Sequence, residues 1–252
     1  MAKKRLDLFI SEKYPQYSRR QIQSWIMQGK VTVENKVVTK AGTQVSQDAQ
    51  IVIDLEEPKY VGRAGFKLEG ALDHFGIDVS GFTVLDAGLS TGGFADCLLQ
   101  RGAKKIYGVD VGYGQAHEKI RADDRVQVME RTNLRDLRDV GELVDLVTLD
   151  LSFISILKVM DAVCAVLKPD GMLITLIKPQ FEAERKDVRK GGIVRDVAVH
   201  EKVLAQVTEG IKKHGFELIG TTESPITGAT GNKEFLAYFK RIVNGYESIQ
   251  KS

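Results

Sequence analysis

The chain has 252 residues, of which 43% are hydrophobic and 28% charged, and its formal net charge is +2. This composition excludes a globally disordered chain, and the length allows one large domain together with a small one. No apolar run approaches the length of a membrane span, and the N-terminus lacks the long apolar stretch of a signal peptide, so we expect a cytoplasmic protein.

The two cysteines, Cys97 and Cys164, both stand in apolar surroundings, "FADCLLQ" and "DAVCAVL". We expect buried, reduced thiols rather than a disulfide or a metal site. The sequence shows no cluster of residues with metal-ligand spacing, so no metal is predicted.

The positive charge is concentrated near the N-terminus. Residues 1–47 hold nine basic and three acidic residues, a net charge of +6, whereas residues 61–252 hold 26 basic and 27 acidic residues, a net charge of −1. A compact basic segment on a near-neutral body is typical of a surface that binds a polyanion, although charge alone leaves an ordinary solvated face equally open.

The first sixty residues predict a minimal domain of two helices and short strands. "RLDLFISEKY" has apolar residues at helical spacing, and in "SRRQIQSWIMQGK" Ser18 with Gln21 predicts a capping box and Gly29 a C-terminal stop. "KVTVEN" and "AQIVIDL" predict strands. Arg19 and Arg20 fall in the first turn of the second helix, where they oppose the helix dipole, so we expect a ligand that favours positive charge there.

This N-terminal segment resembles the RNA-binding domain of the ribosomal-protein-S4 type over nearly its whole length, from "RLDLFI" through "SRRQIQSWIMQGKVTVENKVVTKAGTQVSQDAQIVID". The resemblance implies a small α+β domain at residues 1–57 that binds structured RNA through Arg19, Arg20, Lys30 and Lys36. Contacts from such residues to phosphates give affinity and position rather than sequence readout.

The remaining chain predicts an α/β domain. "DLEEPKYVG" predicts an interdomain linker, placed at residues 58–62, and from residue 63 to residue 245 helices alternate with apolar strands. "RAGFKLEGALDHFG" predicts a first amphipathic helix that Gly76 ends, and "FELIGTTESP" and "KEFLAYFKR" predict a closing antiparallel pair. The expected fold class is α/β, with a Rossmann-like, mostly parallel sheet covered on both faces and an antiparallel last strand.

A glycine-rich turn follows the first strand of that domain. "VLDAGLSTGGFAD" places Asp86, Gly88, Ser90 and Gly92 where open α/β sheets bind ligands. A dinucleotide fingerprint fails there because Ser90 stands in place of the glycine that lets the backbone approach a pyrophosphate.

Two other interpretations of this turn are open. Gly88-Leu-Ser90-Thr-Gly92 matches the nucleophile elbow of hydrolases, and Asp196 with His200 or His214 supplies an acid and a histidine in the required order, although neither histidine follows a predicted strand end. The third interpretation is S-adenosylmethionine (SAM), which has no pyrophosphate but needs a glycine turn for its amino-acid portion and an acid for its ribose hydroxyls. Asp110, about twenty residues after the glycine turn, is placed as that acid, and Asn133 could approach the adenine edge.

Four ionisable residues are placed around one pocket by the predicted strand ends. Asp150 and Lys178 each follow a strand, Glu234 begins the last strand, and Lys67 lies on the helix before the glycine turn. A lysine amine acts as a base only once it has lost its proton, which burial and a neighbouring cation favour, so Lys178 beside Lys67 could deprotonate a ribose hydroxyl. A structural ion-pair network is the competing explanation.

Five motifs, "GRAGFKL", "DAGLSTGGF", "LDLSF", "LIKPQFE" and "GNKEF", resemble those of FtsJ-like RNA 2′-O-methyltransferases. With an S4-type domain in front, the arrangement is similar to the TlyA family, whose members are also called haemolysins. The resemblance implies SAM-dependent methylation of a ribose 2′-hydroxyl in ribosomal RNA, with cytidine targets. It also implies a catalytic tetrad of Lys67, Asp150, Lys178 and Glu234, with cofactor residues Asp86, Gly88, Ser90, Gly92, Asp110 and Asn133.

The sequence departs from that family at two places near the linker. Gly62 replaces a serine, and Pro58-Lys59-Tyr60-Val61 stands where some members have Arg-x-Trp-Val. A later segment, "RKDVRKGGIVRD", resembles a family loop near the RNA, and its Gly191-Gly192 pair suits either a hinged lid that contacts phosphate or a solvated charged loop.

Two further functions compete with the enzymatic one. The chain could be an RNA-binding ribosome-assembly factor or SAM sensor without catalysis, or a membrane-active haemolysin, although no long amphipathic insertion segment is evident. The expected partner is ribosomal RNA or a ribosomal subunit, with no membrane and no obligate protein partner.

Overall fold

The computed structural model describes residues 3–54, 58–189 and 191–242, and the chain divides into two compact units, Met1–Pro58 and Lys59–Ser252. Parts of three predicted segments lie outside the described residues: Leu55, Glu56 and Glu57 at the end of the first domain, Lys190 of the basic loop, and residues 243–245 of the second domain. The predicted domain limits stay predictions.

The first unit contains two helices and five very short strands. Its elements are β1 (Lys3–Arg5), α1 (Leu6–Lys13), α2 (Arg19–Met27), β2 (Val31–Val33), β3 (Lys36–Val37), β4 (Gln44–Ser46) and β5 (Ile51–Ile53). β1 pairs with β4, and β2 pairs with both β3 and β5, all antiparallel. Strands of two or three residues are too short to show a period-2 pattern, which is why the sequence predicted only β2 and β5.

The local signals in this unit are confirmed. Ser18 Oγ accepts from the Gln21 N–H, while Gln21 Oε1 accepts from the Ser18 N–H at 2.9 Å, which completes the capping box of α2. Ile22 and Ile26 are fully buried on the inner face of that helix, and together with Leu6 and Ile10 of α1 they build a separate core.

The second unit alternates helices and strands. Its elements are α3 (Ala64–Phe75), β6 (Thr83–Ala87), α4 (Gly93–Gln100), β7 (Lys105–Val109), α5 (Glu118–Arg121), β8 (Val126–Met129), β9 (Val144–Leu149), α6 (Met160–Val166), β10 (Leu167–Ile177), α7 (Pro179–Glu182), α8 (Val197–Lys212), β11 (Phe216–Glu223) and β12 (Phe235–Arg241). Gly76 ends α3 with a left-handed φ of 63°, as predicted.

These strands form one seven-stranded sheet in the order β11-β12-β10-β9-β6-β7-β8. The five strands from β10 to β8 run parallel to their neighbours, and β12 is antiparallel to both β10 and β11. The α/β fold class, with its antiparallel closing strands, is confirmed. Because β6 is flanked by β7 on one side and β9 on the other, the strand order reverses at β6, and the carboxyl ends there form the crevice where such sheets bind ligands.

Two apolar clusters cover this sheet. Val84 of β6 belongs to one cluster and its neighbour Leu85 to the other, which is the alternation expected of a strand buried on both faces. Cys97 and Cys164 are buried, as the sequence indicated. Across the part of the chain that the structure describes, no helix combines the length and apolar character needed to cross a membrane.

Strand β10 is longer than predicted. The apolar run "MLITLI", which starts at Met172, is the strand that the sequence predicts before Lys178. In the structure β10 begins at Leu167, and its pairing with β9 changes register between Leu167 and Met172. Pro169 lies in that interval and has no N–H for the ladder, which hides the first part of the strand in the sequence pattern.

Candidate active site

The glycine-rich turn lies where β6 and β9 end side by side. Gly88, Ser90 and Gly92 all have positive φ values, of 85°, 48° and 93°. A Cβ on Gly88 would lie 2.4 Å from the carbonyl oxygen of Asp150, the residue after β9, so only glycine fits there. The turn thus brings the ends of two neighbouring strands into direct backbone contact.

Asp110 closes the same turn from the end of β7. One carboxylate oxygen accepts the N–H of Ser90 at 2.7 Å, and the other accepts the N–H of Gly112 at 2.7 Å. The carboxylate therefore caps a local turn and fixes the glycine-rich turn. Its position at a cavity wall leaves it available to a ligand as well.

A cavity of about 570 Å³ lies at this switch point, within the range of small-molecule sites. Four of the six predicted cofactor residues line it: Gly88, Ser90, Asp110 and Asn133. The other lining residues are Val109, Val111, Gly112, Gln115, Thr132, Leu134, Arg135, Asp150, Leu151, Ser152, Phe153, Ile154 and Val159. Gln115, Thr132 and Arg135 escaped the sequence reasoning because the first two lie in loops and the third in a short 3-10 helix, all without a motif.

Asp86 and Gly92 do not line that cavity. Asp86 is 1% exposed and accepts from Thr148 Oγ1 at 2.8 Å, while its other oxygen is buried with no hydrogen-bond partner among the described residues. Burial, opposed by the Thr148 hydrogen bond and reinforced by the nearby Asp150 carboxylate, raises the pKa of Asp86 to about 7. Gly92 is required for packing, since a Cβ there would lie 2.7 Å from the Ile120 side chain.

The four predicted tetrad residues form two ion pairs. Lys178 Nζ lies 2.7 Å from Asp150 Oδ1, and Lys67 Nζ lies 2.5 Å from Glu234 Oε2. Lys67 and Glu234 are buried, at 6% and 3% exposure, whereas Lys178 and Asp150 are partly buried. The strand register brings the pairs to one edge of the sheet, because Ile177 of β10 is paired with Phe235 of β12 and the residues that flank this pair are Lys178 and Glu234.

Two further side chains complete this edge. Ser152 Oγ lies 3.0 Å from Lys178 Nζ, so the amine has two oxygen neighbours. Gln180 Nε2 lies 3.5 Å from Glu234 Oε1, and its own amide oxygen is buried with no hydrogen-bond partner among the described residues. Both residues stand in motifs quoted above, "LDLSF" and "LIKPQFE", but their chemistry is evident only from the contacts.

Phe153 is the most unusual residue beside the tetrad. Its side chain is 90% exposed, its φ is 65°, and its ring lies 4.9 Å from that of Phe181. A positive φ is rare for an aromatic residue, and such strain collects at functional sites. An exposed aromatic face one residue from Ser152 suits stacking on an unpaired base.

The histidines of the hydrolase interpretation lie elsewhere. His200 Nε2 is 3.1 Å from the Val194 carbonyl oxygen, and His214 Nδ1 is 3.0 Å from that of Gly210. Asp196 caps α8 through the Ala198 N–H. The structure does not assemble a triad with Ser90, so that interpretation is wrong.

The predicted RNA-binding residues of the first unit differ in their surroundings. Arg20 and Lys36 are exposed, and Lys30 is half-buried. Arg19 pairs at 2.9 Å with the fully buried Asp7. This internal partner offers a second explanation for Arg19 in the first turn of α2, beside the expected ligand.

Asp7 is the centre of a small buried network. Arg5 and Gln23 also bind its carboxylate, at 3.0 and 2.8 Å. The hydrogen bond from Arg5 is the largest cause that holds the pKa of Asp7 well below its usual range. A role of Arg19 in RNA binding stays a prediction, as does that of Arg20, Lys30 and Lys36.

Two family models match the chain. The model described as FtsJ-like methyltransferase matches residues 60–241, and the model described as S4 domain matches residues 4–51. The two matches correspond to the two compact units.

Curated relatives match over most of the chain. Hemolysin A of Brachyspira hyodysenteriae is 44% identical over 239 residues, which cover 93% of this chain and 99% of the relative. The 16S/23S rRNA (cytidine-2′-O)-methyltransferase TlyA of Mycobacterium tuberculosis is 38% identical, covering 88% of this chain and 84% of the relative. A solved structure of a Streptococcus thermophilus protein, provisionally named a hemolysin, superimposes with a TM-score of 0.74 at 38% identity over 96% of this chain and 90% of that one.

Proposed function

The chain belongs to the FtsJ-like methyltransferase family, and we propose that it transfers a methyl group from SAM to a ribose 2′-hydroxyl of ribosomal RNA, with cytidine as the target nucleotide. The observation that carries the proposal is the pair of contacts Lys178–Asp150 and Lys67–Glu234 at the carboxyl edge of the sheet, next to the large cavity. The TlyA relative, named for the same reaction, supports it.

The residues of the cavity fit SAM. The wall is mostly apolar, with Asp110 and Asn133 as polar groups that follow successive strands. Ser90 stands where a dinucleotide fingerprint has a glycine, which fits a ligand without a pyrophosphate. Asp110 would hold the ribose hydroxyls, and Gly88 with Ser90 would hold the amino-acid portion. When bound, SAM supplies an electrophilic methyl group on a sulfonium.

The tetrad residues would prepare the nucleophile. Lys178, which Asp150 and Ser152 hold in place, would take the proton of the attacking ribose hydroxyl through its unprotonated amine. Glu234 would hold Lys67 in place through their ion pair, and the exposed Phe153 ring would stack on the target base. The S4-type unit would bind RNA by shape and phosphate contacts.

The test is Lys178→Met. We expect a loss of kcat of at least about a hundredfold, since general-base catalysis contributes that much, with unchanged SAM affinity. Methyl transfer is measured with labelled SAM and ribosomes from a strain that lacks the enzyme, followed by mapping of the modified nucleotide.

The matched control is Lys168→Met. Lys168 lies on the same strand, β10, and pairs at 2.5 Å with Asp145 of β9, but at the opposite end of the sheet. This variant should keep wild-type activity. Equal losses in both variants, or SAM binding by the wild-type protein without methyl transfer to any ribosomal RNA, would contradict the proposed function and favour a binding protein without catalysis.

A further inference from the structure

A basic turn, defined here as residues 185–189 and 191–195, lies between α7 and α8. Gly191 and Gly192 have left-handed φ values of 91° and 74°, and the Arg189 N–H donates to the Ile193 carbonyl at 3.1 Å. Arg195 is exposed and has no ion-pair partner among the described residues. A basic, glycine-containing turn that is simply exposed to solvent does not require hydrogen bonds from buried side chains.

The basic turn is nevertheless held by a buried asparagine. Asn232 is 1% exposed; its Oδ1 accepts the Val194 N–H at 2.9 Å, and its Nδ2 donates to the Gly192 carbonyl at 2.8 Å and to Thr230 Oγ1 at 3.0 Å. Three satisfied hydrogen bonds remove the cost of burying an amide. Asn232 therefore fixes the basic turn at two backbone positions, Gly192 and Val194.

A buried histidine holds the next backbone group. The Val194 carbonyl lies 3.1 Å from His200 Nε2, and the His200 ring packs at 5.6 Å against Phe235, the first residue of β12. Both polar backbone groups of Val194 thus bind side chains that are at least 95% buried. Arg195, which follows Val194 directly, starts from a fixed backbone position.

Asn232 also belongs to the turn that covers Glu234. The Gly228 N–H donates to the Asn232 carbonyl at 2.8 Å, and a Cβ on Gly228 would lie 2.4 Å from Glu234 Oε1. The segment 228–232 therefore packs on the Glu234 carboxylate and also hydrogen-bonds to the backbone of the basic turn. Any shift of Asn232 changes the spacing between Arg195 and the tetrad.

We propose that Asn232 is a positioning residue that fixes the basic turn relative to Glu234, so that Arg195 holds a phosphate of the substrate RNA at a set distance from the reacting ribose. The inference rests on the proposed function. Arginine suits this task because its planar guanidinium makes two parallel hydrogen bonds to a phosphate, and such contacts position a nucleic acid rather than specify its sequence. Asn232 contributes through the backbone and does not touch the RNA.

The test is a double-mutant cycle on the full chain, with Asn232→Ala and Arg195→Gln. The measurements are the affinity for ribosomal RNA without cofactor, KM for RNA, kcat and SAM affinity. Each single variant should weaken RNA affinity about tenfold and leave SAM affinity unchanged. In the Asn232→Ala background, Arg195→Gln should cost less than about twofold, because the arginine is no longer placed.

The matched control is Thr230→Val. It removes one of the three hydrogen bonds of Asn232 but leaves those to Gly192 and Val194, so RNA affinity should stay at the wild-type value. If Asn232→Ala does not fold, Asn232→Ser replaces it, since a serine is too short to bridge both backbone groups.

The proposal would be overturned if the fold-losses of RNA affinity in the two single variants simply multiplied in the double variant. Wild-type RNA affinity in Arg195→Gln would also overturn it. So would a loss of RNA affinity in Thr230→Val equal to that in Asn232→Ala. Failure of the proposed function looks different. In that case the wild-type chain transfers no methyl group, while the cycle on RNA affinity can still be measured.

Discussion

At the scale of single residues, Asp86 is a buried acid at the end of β6, before the glycine-rich turn, and burial raises its pKa to about 7. A folded-state pKa above the ordinary value of 3.8 means that the folded protein keeps a proton that the unfolded chain has lost. The stability linked to this proton is fully present below about pH 4 and is lost as the pH rises through about 7.

Asp86→Asn should remove this pH dependence, because the amide keeps the shape of the side chain and does not titrate. The free energy of unfolding, measured in urea at about pH 5 and about pH 8, should fall more for the wild type than for the variant. The difference should be on the order of a few kcal/mol. If the free energy of unfolding fell equally in both proteins between these two pH values, Asp86 would be charged in the folded protein at neutral pH.

At the scale of elements, the glycine turn between β6 and α4 depends on a close backbone approach. Gly88→Ala would place a Cβ 2.4 Å from the Asp150 carbonyl oxygen and impose a left-handed φ of 85° on alanine. We expect a loss of about 1–3 kcal/mol of stability and weaker SAM binding, measured by urea unfolding and calorimetry. The strain must move either the turn or Asp150, and both line the cavity.

Gly81→Ala separates the two causes. Gly81 has a similar φ of 77°, but a Cβ there would meet open space. The Gly81→Ala variant should therefore lose about 1 kcal/mol of stability, only because alanine disfavours this backbone conformation, and its SAM affinity should be unchanged. Similar SAM affinities for both variants would count against a role of the Gly88–Asp150 contact in the cofactor site.

At the scale of the whole molecule, the charge distribution predicts how RNA affinity depends on salt. Residues 1–47 carry a net charge of +6, and within them Arg20 and Lys36 are exposed, while Arg19 is exposed but also pairs with Asp7. In the double variant Arg20→Gln/Lys36→Gln, RNA affinity should decrease less steeply with salt. The slope of log affinity against log salt concentration should become shallower by about 0.7–0.9 for each phosphate that the variant no longer neutralises. Filter binding of the full chain over a salt series measures this.

Lys13→Gln is the control for that series. Lys13 is an exposed lysine at the end of α1, outside the predicted RNA-binding residues. Its removal should leave the slope near that of the wild type. An equal change in slope would mean that net charge, rather than a defined surface, binds the RNA.

The sequence by itself determined the elements whose signals are local. Ser18 with Gln21 fixed the start of α2, Gly76 the end of α3, and the alternation of apolar strands with helices determined the α/β class, because caps, stops and periodicity depend on neighbours within a few residues. The motifs also indicated Lys67, Asp150, Lys178 and Glu234 as a set.

Only the tertiary structure decided which side chains meet. The pairing of Lys178 with Asp150 and of Lys67 with Glu234 depends on strand order and register, since residues up to 167 positions apart come into contact. The same holds for the Arg19–Asp7 pair, an internal contact that the sequence pattern did not indicate. Long-range contacts of this kind depend on how whole strands and helices pack, and the local pattern around a residue does not record its distant neighbours.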